Sequence, residues 1–449
     1  MKKLGLGLLS TAFLLSAGTA WATNGNQLSA LGTYGSGMGG AVTAAPFDST
    51  TAVTNPAGLT KVGTRADFDF EMLMPVRSVD FSSTGGAKSE GGSASYLIPA
   101  VGWNAPVNED NTLFFGGGMF IISGMGVDYD VVNVMPFFPA PNNTVMFDGR
   151  VFSQYQLWKM APSLAKKFSD SFSVGVALNV DYQQMAIKQM FTNTSALTMP
   201  GPTTVPAGGY RMGVDLSTPE SAMGLGFTVG ALYDVNEMFS IGVNYSSKQT
   251  FGKMQWRLMK GDINYSPDGG TTMYTNRNGT YSIGMDAPQQ YAIGLAIRPT
   301  SDLLVSLDYK MINFADTNKT LAIEGTYDTV NMGTGTPGTA SSLILNTGWK
   351  DVTVLAIGVQ YKLGDKGFIR AGYNAGGSPI DSGNASQNWA LPAIAKTHYM
   401  FGGTWNASKN WQLNLAYENM ATETLTGTYG DKISLGGASY SLGLSYLFL

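Results

Sequence analysis

The sequence predicts an all-β protein, a 14-stranded antiparallel transmembrane β-barrel with an N-terminal plug segment inside its lumen. Three observations support this prediction: an export signal at the start of the chain, a strict alternation of apolar with small or polar residues, and short polar turns at regular intervals. Alternating segments of roughly ten residues are typical of outer-membrane barrels, whose strands face lipid on one side and a polar lumen on the other.

The first 22 residues have the organisation of a signal peptide. Lys2 and Lys3 form a charged start, residues 4–15 are mainly apolar, and Ala20-Trp21-Ala22 is a small-x-small cleavage site. The apolar stretch is shorter than the roughly 20 residues that a membrane-spanning helix needs. We therefore expect cleavage after Ala22 and export of the mature chain.

Residues 172–182 show the alternation most clearly. Phe172, Val176 and Leu178 share one parity, and Ala177 and Asn179 share the other. Because successive side chains of a strand point to opposite faces, this segment predicts one apolar face and one small or polar face. A soluble β-sandwich is the alternative, but it does not explain an outward apolar face on nearly every strand.

The connections between alternating segments fall into two classes. Six are short polar turns, at 106–110, 169–171, 234–237, 299–302, 364–367 and 406–410. Seven are long and rich in Gly, Pro, Thr and Asn, at 82–94, 123–150, 192–220, 259–281, 314–347, 375–396 and 419–432. These thirteen connections separate fourteen strands, and short turns at one rim with long extracellular loops at the other are typical of bacterial barrels.

Tyr440, Tyr446 and Phe448 have the same parity on the last strand, and Phe448 directly precedes Leu449. A terminal alternating strand with aromatic residues near its end resembles the signal that the barrel-assembly machinery recognises. We therefore expect this machinery and outer-membrane lipid to be partners of the chain.

The composition argues against several other classes of function. Charged residues are 13% of the chain, against about 25% in soluble domains, and a net charge of −4 without charge runs gives no support to nucleic-acid binding. There is no cysteine and one histidine, His398, and we find no metal-ligand cluster or nucleophile motif. We expect no catalytic residue, no metal and no cofactor, and we expect a monomer.

Residues 23–62 lack sustained alternation but contain scattered apolar residues. Eight strands can be filled by their own side chains, whereas sixteen or more leave a channel, so a fourteen-stranded lumen needs further filling. The predicted organisation is a signal peptide at 1–22, a plug at 23–62 and the barrel at 63–449. A disordered N-terminal tail is the alternative interpretation of the second part.

The plug-like segment ends in a short motif, Asn55, Pro56, Ala57 and Gly58, shortly before the first alternating strand at 65–76. With this motif, and with segments 307–313 and 369–374, the chain resembles the FadL family of outer-membrane transporters for long-chain fatty acids and other hydrophobic compounds. The resemblance implies capture at extracellular loops, entry into the barrel and sideways release through a gap beside a kinked third strand.

Two groups of residues are candidates for these steps. Gly116, Gly117 and Gly118 on the third strand would permit a kink, and so a lateral opening; close packing of the plug against the wall is the alternative. An apolar loop would capture ligand, because exposed apolar patches often mark binding surfaces. The candidate capture residues are Val134, Met135, Phe137 and Phe138. Alternatively, this loop folds onto the barrel mouth and buries them.

A fatty-acid carboxylate would be attracted to a cation in the lumen. Lys310 and Lys159 both fall on the lumenal parity and are the candidate ligands, unless they pair with a wall carboxylate such as Asp67, Asp69 or Glu71. The chain has 23 methionines, which adapt to ligands of varied shape. Aromatic hydrocarbons are therefore an alternative substrate class, and a hydrophilic porin is the alternative function.

Overall fold

The computed structural model describes residues 24–92, 95–134, 145–198, 204–268 and 270–448. Most of these residues belong to one closed antiparallel sheet. The predicted signal peptide and the predicted capture residues Met135, Phe137 and Phe138 lie outside the described residues.

The described residues form 25 strands. They are β1 (Arg65–Asp80), β2 (Lys88–Glu90), β3 (Tyr96–Pro106), β4 (Leu113–Val134), β5 (Phe147–Met160), β6 (Ser163–Lys167), β7 (Phe172–Asn193), β8 (Leu197–Thr198), β9 (Thr204–Val205), β10 (Arg211–Asp234), β11 (Phe239–Ser246), β12 (Thr250–Phe251), β13 (Met254–Leu258), β14 (Ile263–Tyr265), β15 (Thr272–Asn276), β16 (Gly279–Ile283), β17 (Gln290–Ile297), β18 (Leu303–Ile312), β19 (Thr320–Asn331), β20 (Pro337–Asn346), β21 (Val352–Lys362), β22 (Gly367–Gly376), β23 (Thr397–Asn406), β24 (Trp411–Thr426) and β25 (Lys432–Leu447).

Within the described residues, fourteen wall strands form the barrel, which closes where β1 pairs with β25. Three wall strands are broken into pieces: β5 with β6, β11 with β12 and β13, and β16 with β17. The strands β2, β14, β15, β19 and β20 extend the sheet at the rim that carries the long connections. The predicted fourteen-stranded barrel is confirmed.

The six predicted short turns each join neighbouring wall strands, but several long loops are shorter than predicted. β4 continues to Val134, β10 begins at Arg211, and β24 continues to Thr426. β19 and β20 form a hairpin inside the predicted loop 314–347. These segments remain strands because pairing with a neighbour outweighs the weak intrinsic preference of Gly, Thr and Asn.

The two faces of the wall differ as the alternation predicts. On β1, Phe68, Phe70 and Met72 are exposed on the outer surface, whereas Asp67 and Asp69 are buried in the lumen. On β7 the burial alternates in the same way along residues 172–182. The outer face is therefore apolar and suited to lipid, and the inner face is small or polar.

Helical structure is limited to short elements. They are α1 (Gly32–Gly37), α2 (Thr51–Thr54), α3 (Ala315–Asn318) and the 3₁₀ helices Pro56–Thr60, Ser82–Thr84, Gly364–Lys366 and Ser382–Gln387. None of the described helices has the length and apolar character required to cross a membrane.

Candidate functional site

Residues 24–62, here called the N-terminal segment, are largely buried and contact several wall strands, among them β1, β10, β18 and β22. Buried wall carboxylates hold part of this segment by its backbone. Asp308 of β18 accepts hydrogen bonds from the Val42 and Thr43 N–H groups, at 3.1 and 2.9 Å, and from the Thr43 hydroxyl. Asp67 of β1 accepts from the Ser49 N–H at 2.9 Å. These charge-assisted bonds fix the segment against opposite parts of the wall.

Asn55 connects the N-terminal segment to the wall from a fully buried position. Its side-chain amide donates to the Thr43 carbonyl at 2.7 Å and to the Ala231 carbonyl of β10 at 3.2 Å, and its Oδ1 accepts from the Ala57 N–H at 3.2 Å. Pro56 follows at the first position of a 3₁₀ helix, where its missing N–H removes no helical hydrogen bond.

Gly58 completes the motif because a side chain does not fit at this position. A Cβ atom there would overlap the Thr51 hydroxyl and lie 2.6 Å from the Pro46 side chain. The motif therefore combines one amide that bonds to segment and wall with one residue that allows close packing.

Wall glycines form the other side of this interface. A Cβ atom on Gly242 would collide with the Thr43 carbonyl, and one on Gly372 would collide with the Gly39 backbone. The same steric conflict with the N-terminal segment occurs at Gly102, Gly175, Gly230, Gly294 and Gly358. The lumenal glycines thus allow the segment to approach the wall backbone closely.

The backbone ladder between β3 and β4 is incomplete. The two strands pair only from Ala100 with Phe120 to Pro106 with Phe114. Beyond this point β3 continues to Tyr96 beside β1, and β4 continues beside β5 with a register shift after Ile121. The wall therefore has a gap between its second and third strands.

The predicted glycine run lies next to this gap but does not border it. Gly116, Gly117 and Gly118 all pair with β3, opposite Asn104, Trp103 and Gly102. A Cβ atom on each would meet neighbouring wall strands, not the N-terminal segment. On the other side of β4 the ladder is interrupted beside Gly117 and Gly118, because β6 pairs only as far as Gly116 and β5 only from Met119. That these glycines form the opening stays a prediction.

The start of the N-terminal segment occupies the position that β3 leaves beside β4. The Leu28 N–H donates to the Ile122 carbonyl at 3.1 Å, and the Gly124 N–H donates to the Asn26 carbonyl at 3.0 Å. Gln27 and Ser123 form an antiparallel bridge between these two bonds. Backbone groups of β4 that face the gap are thus bonded to a piece of chain outside the wall.

A cavity of about 180 Å³, here called the inner cavity, lies at the gap. Its lining is largely apolar and comes from the start of the N-terminal segment and from β1, β3, β4, β5, β23, β24 and β25, with Leu73, Leu97, Ile98 and Leu435 among the lining residues. Leu97 is also 61% exposed on the outside of the barrel. The cavity and the lipid-facing surface therefore meet at this side chain.

Both predicted lysines line a second cavity of about 120 Å³, here called the lysine cavity. The Lys310 ammonium donates to the Gly40 carbonyl at 2.8 Å, and Lys159 lies 3.8 Å from Asp181. The structure therefore brings the two cations together, but each already has a partner. None of the wall carboxylates named from the sequence is that partner, since Asp67 is paired with Arg65 at 2.7 Å.

The long-loop rim is covered by apolar residues that sequence reasoning missed. The loop after β22 turns inward, and the Trp389 indole donates to Asp431 at 2.7 Å while the Ser153 hydroxyl bonds to the Ala390 carbonyl. Trp349 donates to Asn388 at 2.8 Å. The apolar run 389–394 was the signal for this cover in the sequence.

Val134 is buried within this cover, packed in the same cluster as Phe147 and Phe191. Of the four predicted capture residues it is the one that the structure describes, and it is not exposed. The more exposed part of the rim carries polar groups, where the Lys350 ammonium bonded to Asp381 holds the pKa of that carboxyl below its usual range.

Two smaller cavities lead from the cover toward the inner cavity. The first, here called the outer cavity, has about 70 Å³ and is lined by Met185 and Leu391. The second has about 10 Å³ and shares Met185 and Leu391 with the outer cavity, and Met125 and Tyr155 with the inner cavity. We call this second space the constriction, and its lining includes three methionines, Met125, Met185 and Met285.

These features define a class of protein: an outer-membrane β-barrel whose lumen holds a folded segment, with an apolar cavity at a gap in its wall. The family described as outer membrane protein transport protein (OMPP1/FadL/TodX) matches residues 12–443, and the chain belongs to this family. This membership confirms the predicted outer-membrane location and a transport role for hydrophobic compounds, as opposed to an enzymatic one.

Several known proteins are similar to this chain over most of their length. Outer membrane protein P1 of Haemophilus influenzae (strain ATCC 51907 / DSM 11121 / KW20 / Rd) is 25% identical over 479 residues, which cover 97% of this chain and 95% of the relative. The crystal structure of a Pseudomonas aeruginosa FadL homologue has a TM-score of 0.68 at 16% identity, covering 95% and 100% of the two chains. That of the P. putida toluene transporter TodX has a TM-score of 0.65 at 17% identity, covering 94% and 99%.

Proposed function

We propose that this protein takes up hydrophobic molecules and releases them sideways into the outer membrane between β3 and β4. The observation that carries the proposal is the position of the inner cavity. It lies where the β3–β4 ladder ends, and its lining includes Leu97, which also faces lipid. An apolar molecule leaving at this point passes directly into hydrocarbon and avoids water.

The route begins beneath the apolar cover at the long-loop rim. A ligand passes from the outer cavity through the constriction to the inner cavity, because neighbouring spaces share Met185 on one side and Met125 on the other. Methionine side chains are flexible and polarisable. The constriction therefore yields to ligands of different shape without a rearrangement of the backbone.

The N-terminal segment is the plug of this route. Its start at residues 26–28 satisfies backbone groups of β4 at the gap, so lateral release requires this short stretch to move. The rest of the segment is held by Asp308 and Asn55. Movement at one end is thereby compatible with firm attachment of the remainder.

Long-chain fatty acids are the first substrate class that we propose. The lysine cavity presents two cations, and it shares Gln27, Leu28 and Ser29 with the inner cavity. A carboxylate there would compete with Asp181 for Lys159 and with the Gly40 carbonyl for Lys310. Charge-assisted bonds to a ligand can replace the neutral acceptor of Lys310, which is the weaker of the two partners.

Aromatic hydrocarbons are the second candidate, and a specific observation favours them. The inner cavity contains the carboxyl groups of Glu71 and Glu418 in a largely apolar lining that also includes Arg77 and His398. Like charges in a poorly solvated space repel a ligand carboxylate. A neutral hydrocarbon avoids this repulsion, and TodX, a structural relative, is described as a toluene transporter.

The test is uptake of radiolabelled oleate and toluene by a transporter-deficient Gram-negative host that expresses the chain. Oleate uptake above the empty vector, reduced in Lys310→Met and Lys159→Met, supports fatty-acid transport. The matched control is Lys409→Met in the short turn between β23 and β24. Toluene uptake alone supports the hydrocarbon channel, and a folded barrel that transports neither compound contradicts the proposal.

A steady conductance for hydrophilic ions in planar bilayers would instead favour the porin alternative. The lumenal contacts of the N-terminal segment predict that the wild-type barrel does not conduct in this way. Glycan or peptide permeation by a folded wild-type barrel would therefore contradict the plug that we propose.

A further inference from the structure

One end of the inner cavity is polar, and no step of the proposed route uses it. Glu71 of β1, His398 of β23 and Glu418 of β24 all line the cavity there. The His398 side chain is 2% exposed, and its Nδ1 is bonded to Glu418 Oε1. The Ser29 hydroxyl of the N-terminal segment donates to the same carboxylate oxygen at 2.8 Å.

The other ring nitrogen of His398 has no partner among the described residues. Its Nε2 is buried and makes no hydrogen bond, although buried polar atoms are nearly always paired. A carboxylate only accepts hydrogen bonds, so the imidazole proton lies on Nδ1, facing Glu418. In the neutral ring Nε2 is then an acceptor that lacks a donor.

The remainder of the cavity fits a long apolar body. Its lining on β1 includes Glu71, Leu73, Pro75 and Arg77, a span of six residues that corresponds to about 20 Å of extended strand. Arg77 lies at the far end, where its terminal nitrogens donate to the Gly126 carbonyl and to the Tyr96 hydroxyl, while its Nε has no partner among the described residues. The unpaired acceptor thus lies at one end of an elongated apolar space.

We propose that the inner cavity binds a hydrophobic ligand through a neutral hydroxyl group, which donates a hydrogen bond to His398 Nε2. The hydroxyl comes from a long-chain aliphatic alcohol or from an alkylphenol. This inference rests on the proposed function and adds the polar group that the transported molecule carries.

The geometry also selects against other ligands. A hydrocarbon or an ester has no hydrogen-bond donor, so either ligand leaves Nε2 unpaired. Neither ligand donates a hydrogen bond to Glu71 or Glu418. An ionised fatty acid has no donor either, so it leaves Nε2 unpaired and buries its own charge beside an acidic side chain. The neutral hydroxyl is the group that satisfies the acceptor without adding charge.

Equilibrium binding to the mature protein in lipid nanodiscs tests this site, with empty nanodiscs as the control for partition into lipid. The probes are radiolabelled hexadecanol, 4-nonylphenol, methyl hexadecanoate and hexadecanoate at mildly alkaline pH. We expect hexadecanol to bind about tenfold more tightly than its methyl ester, as one hydrogen bond in a buried site implies. A similar advantage for 4-nonylphenol identifies the phenolic source.

Two substitutions at one position separate recognition from folding. His398→Leu should abolish the preference for the alcohol over the ester, while His398→Gln, which keeps a side-chain acceptor, should retain part of it. Unchanged preference in His398→Leu overturns the proposal. So does tighter binding of hexadecanoate than of hexadecanol, or equal binding of alcohol and ester by the wild-type protein.

The proposed function fails separately. A wild-type chain that transports neither oleate nor toluene in cells, yet prefers hexadecanol in nanodiscs, refutes the uptake proposal and leaves this site standing. Uptake without any preference for the hydroxyl refutes this site and leaves the uptake proposal standing. Heat-modifiable electrophoretic migration of both variants establishes that each barrel is folded before binding is measured.

Discussion

Replacing Asp308 by Ala should detach part of the N-terminal segment and open the lumen, while the barrel itself remains folded. The substitution removes the acceptor of two backbone N–H groups and one hydroxyl of the N-terminal segment. A hydrogen bond to a charged group contributes about 1.5–3 kcal/mol, so the loss of three weakens this attachment by about 5 kcal/mol. That corresponds to a change of between about three and four orders of magnitude in the equilibrium between attached and detached segment.

Barrel assembly should survive this change, because the backbone ladders of β18 with β17 and β21 do not use the side chain. The assay is planar-bilayer conductance of the purified protein, supported by limited proteolysis near residue 42. The matched control is Asp302→Ala, an exposed carboxylate in the short turn before β18. An Asp308→Ala barrel that stays closed and protease-resistant would refute the reasoning, since the carboxylate would then not hold the segment.

Two further substitutions test the motif and the constriction. Asn55→Ala removes three hydrogen bonds and should lower attachment by about 3 kcal/mol, so that oleate uptake falls while heat-modifiable migration stays normal. Heat-labile barrels would assign Asn55 a purely structural role. Met285→Ala should widen the constriction and raise uptake of branched over linear substrates, at a stability cost of about 2–5 kcal/mol. Met285→Leu, which conserves volume, is its control, and equal selectivity in the two variants would sink the idea of a methionine filter.

The wall of the barrel was predictable because its cause is local. Each strand of the wall has lipid on one side and the lumen on the other. The alternation of apolar residues such as Phe172 with small residues such as Ala177 is therefore enough to predict which side chains face lipid. The short turns are equally local, and their six positions are confirmed. Strand ends beyond the rim were missed because pairing with a neighbour, not the residue types, keeps β4 and β24 extended.

The candidate site was only partly predictable, because it depends on pairs of residues that are distant in sequence. The parity of Lys159 and Lys310 placed both in the lumen, but their partners Asp181 and Gly40 are set by the fold. The β3–β4 ladder ends at Phe120, and beyond it the start of the N-terminal segment bonds to β4 in place of β3. The glycine run gives no indication of this replacement in the sequence.

The wall glycines have the same non-local origin. Gly242 and Gly372 look like weak points of a strand when the sequence is inspected alone. Their structural role is close packing, and it can be inferred only from the structure, in which Thr43 and Gly39 lie against them. The single histidine is a related case. A role for His398 can be inferred only from its hydrogen bond to Glu418 and from the cavity that it lines, and neither is apparent in the sequence.

The most direct test of lateral release is a disulfide between the N-terminal segment and β4. Gln27 and Ser123 form a bridge flanked by two hydrogen bonds of neighbouring residues, a non-hydrogen-bonded pair with Cα atoms about 4.5 Å apart. That separation is compatible with a disulfide. The chain has no cysteine of its own, and the bacterial periplasm is oxidising.

The measurement is oleate and toluene uptake by cells that express Gln27→Cys/Ser123→Cys, with and without a membrane-permeant reductant, beside the two single variants. If molecules leave through the gap, the oxidised double variant should be inactive, reduction should restore uptake, and the single variants should resemble the wild type. Undiminished uptake by a fully cross-linked barrel would contradict lateral release between β3 and β4.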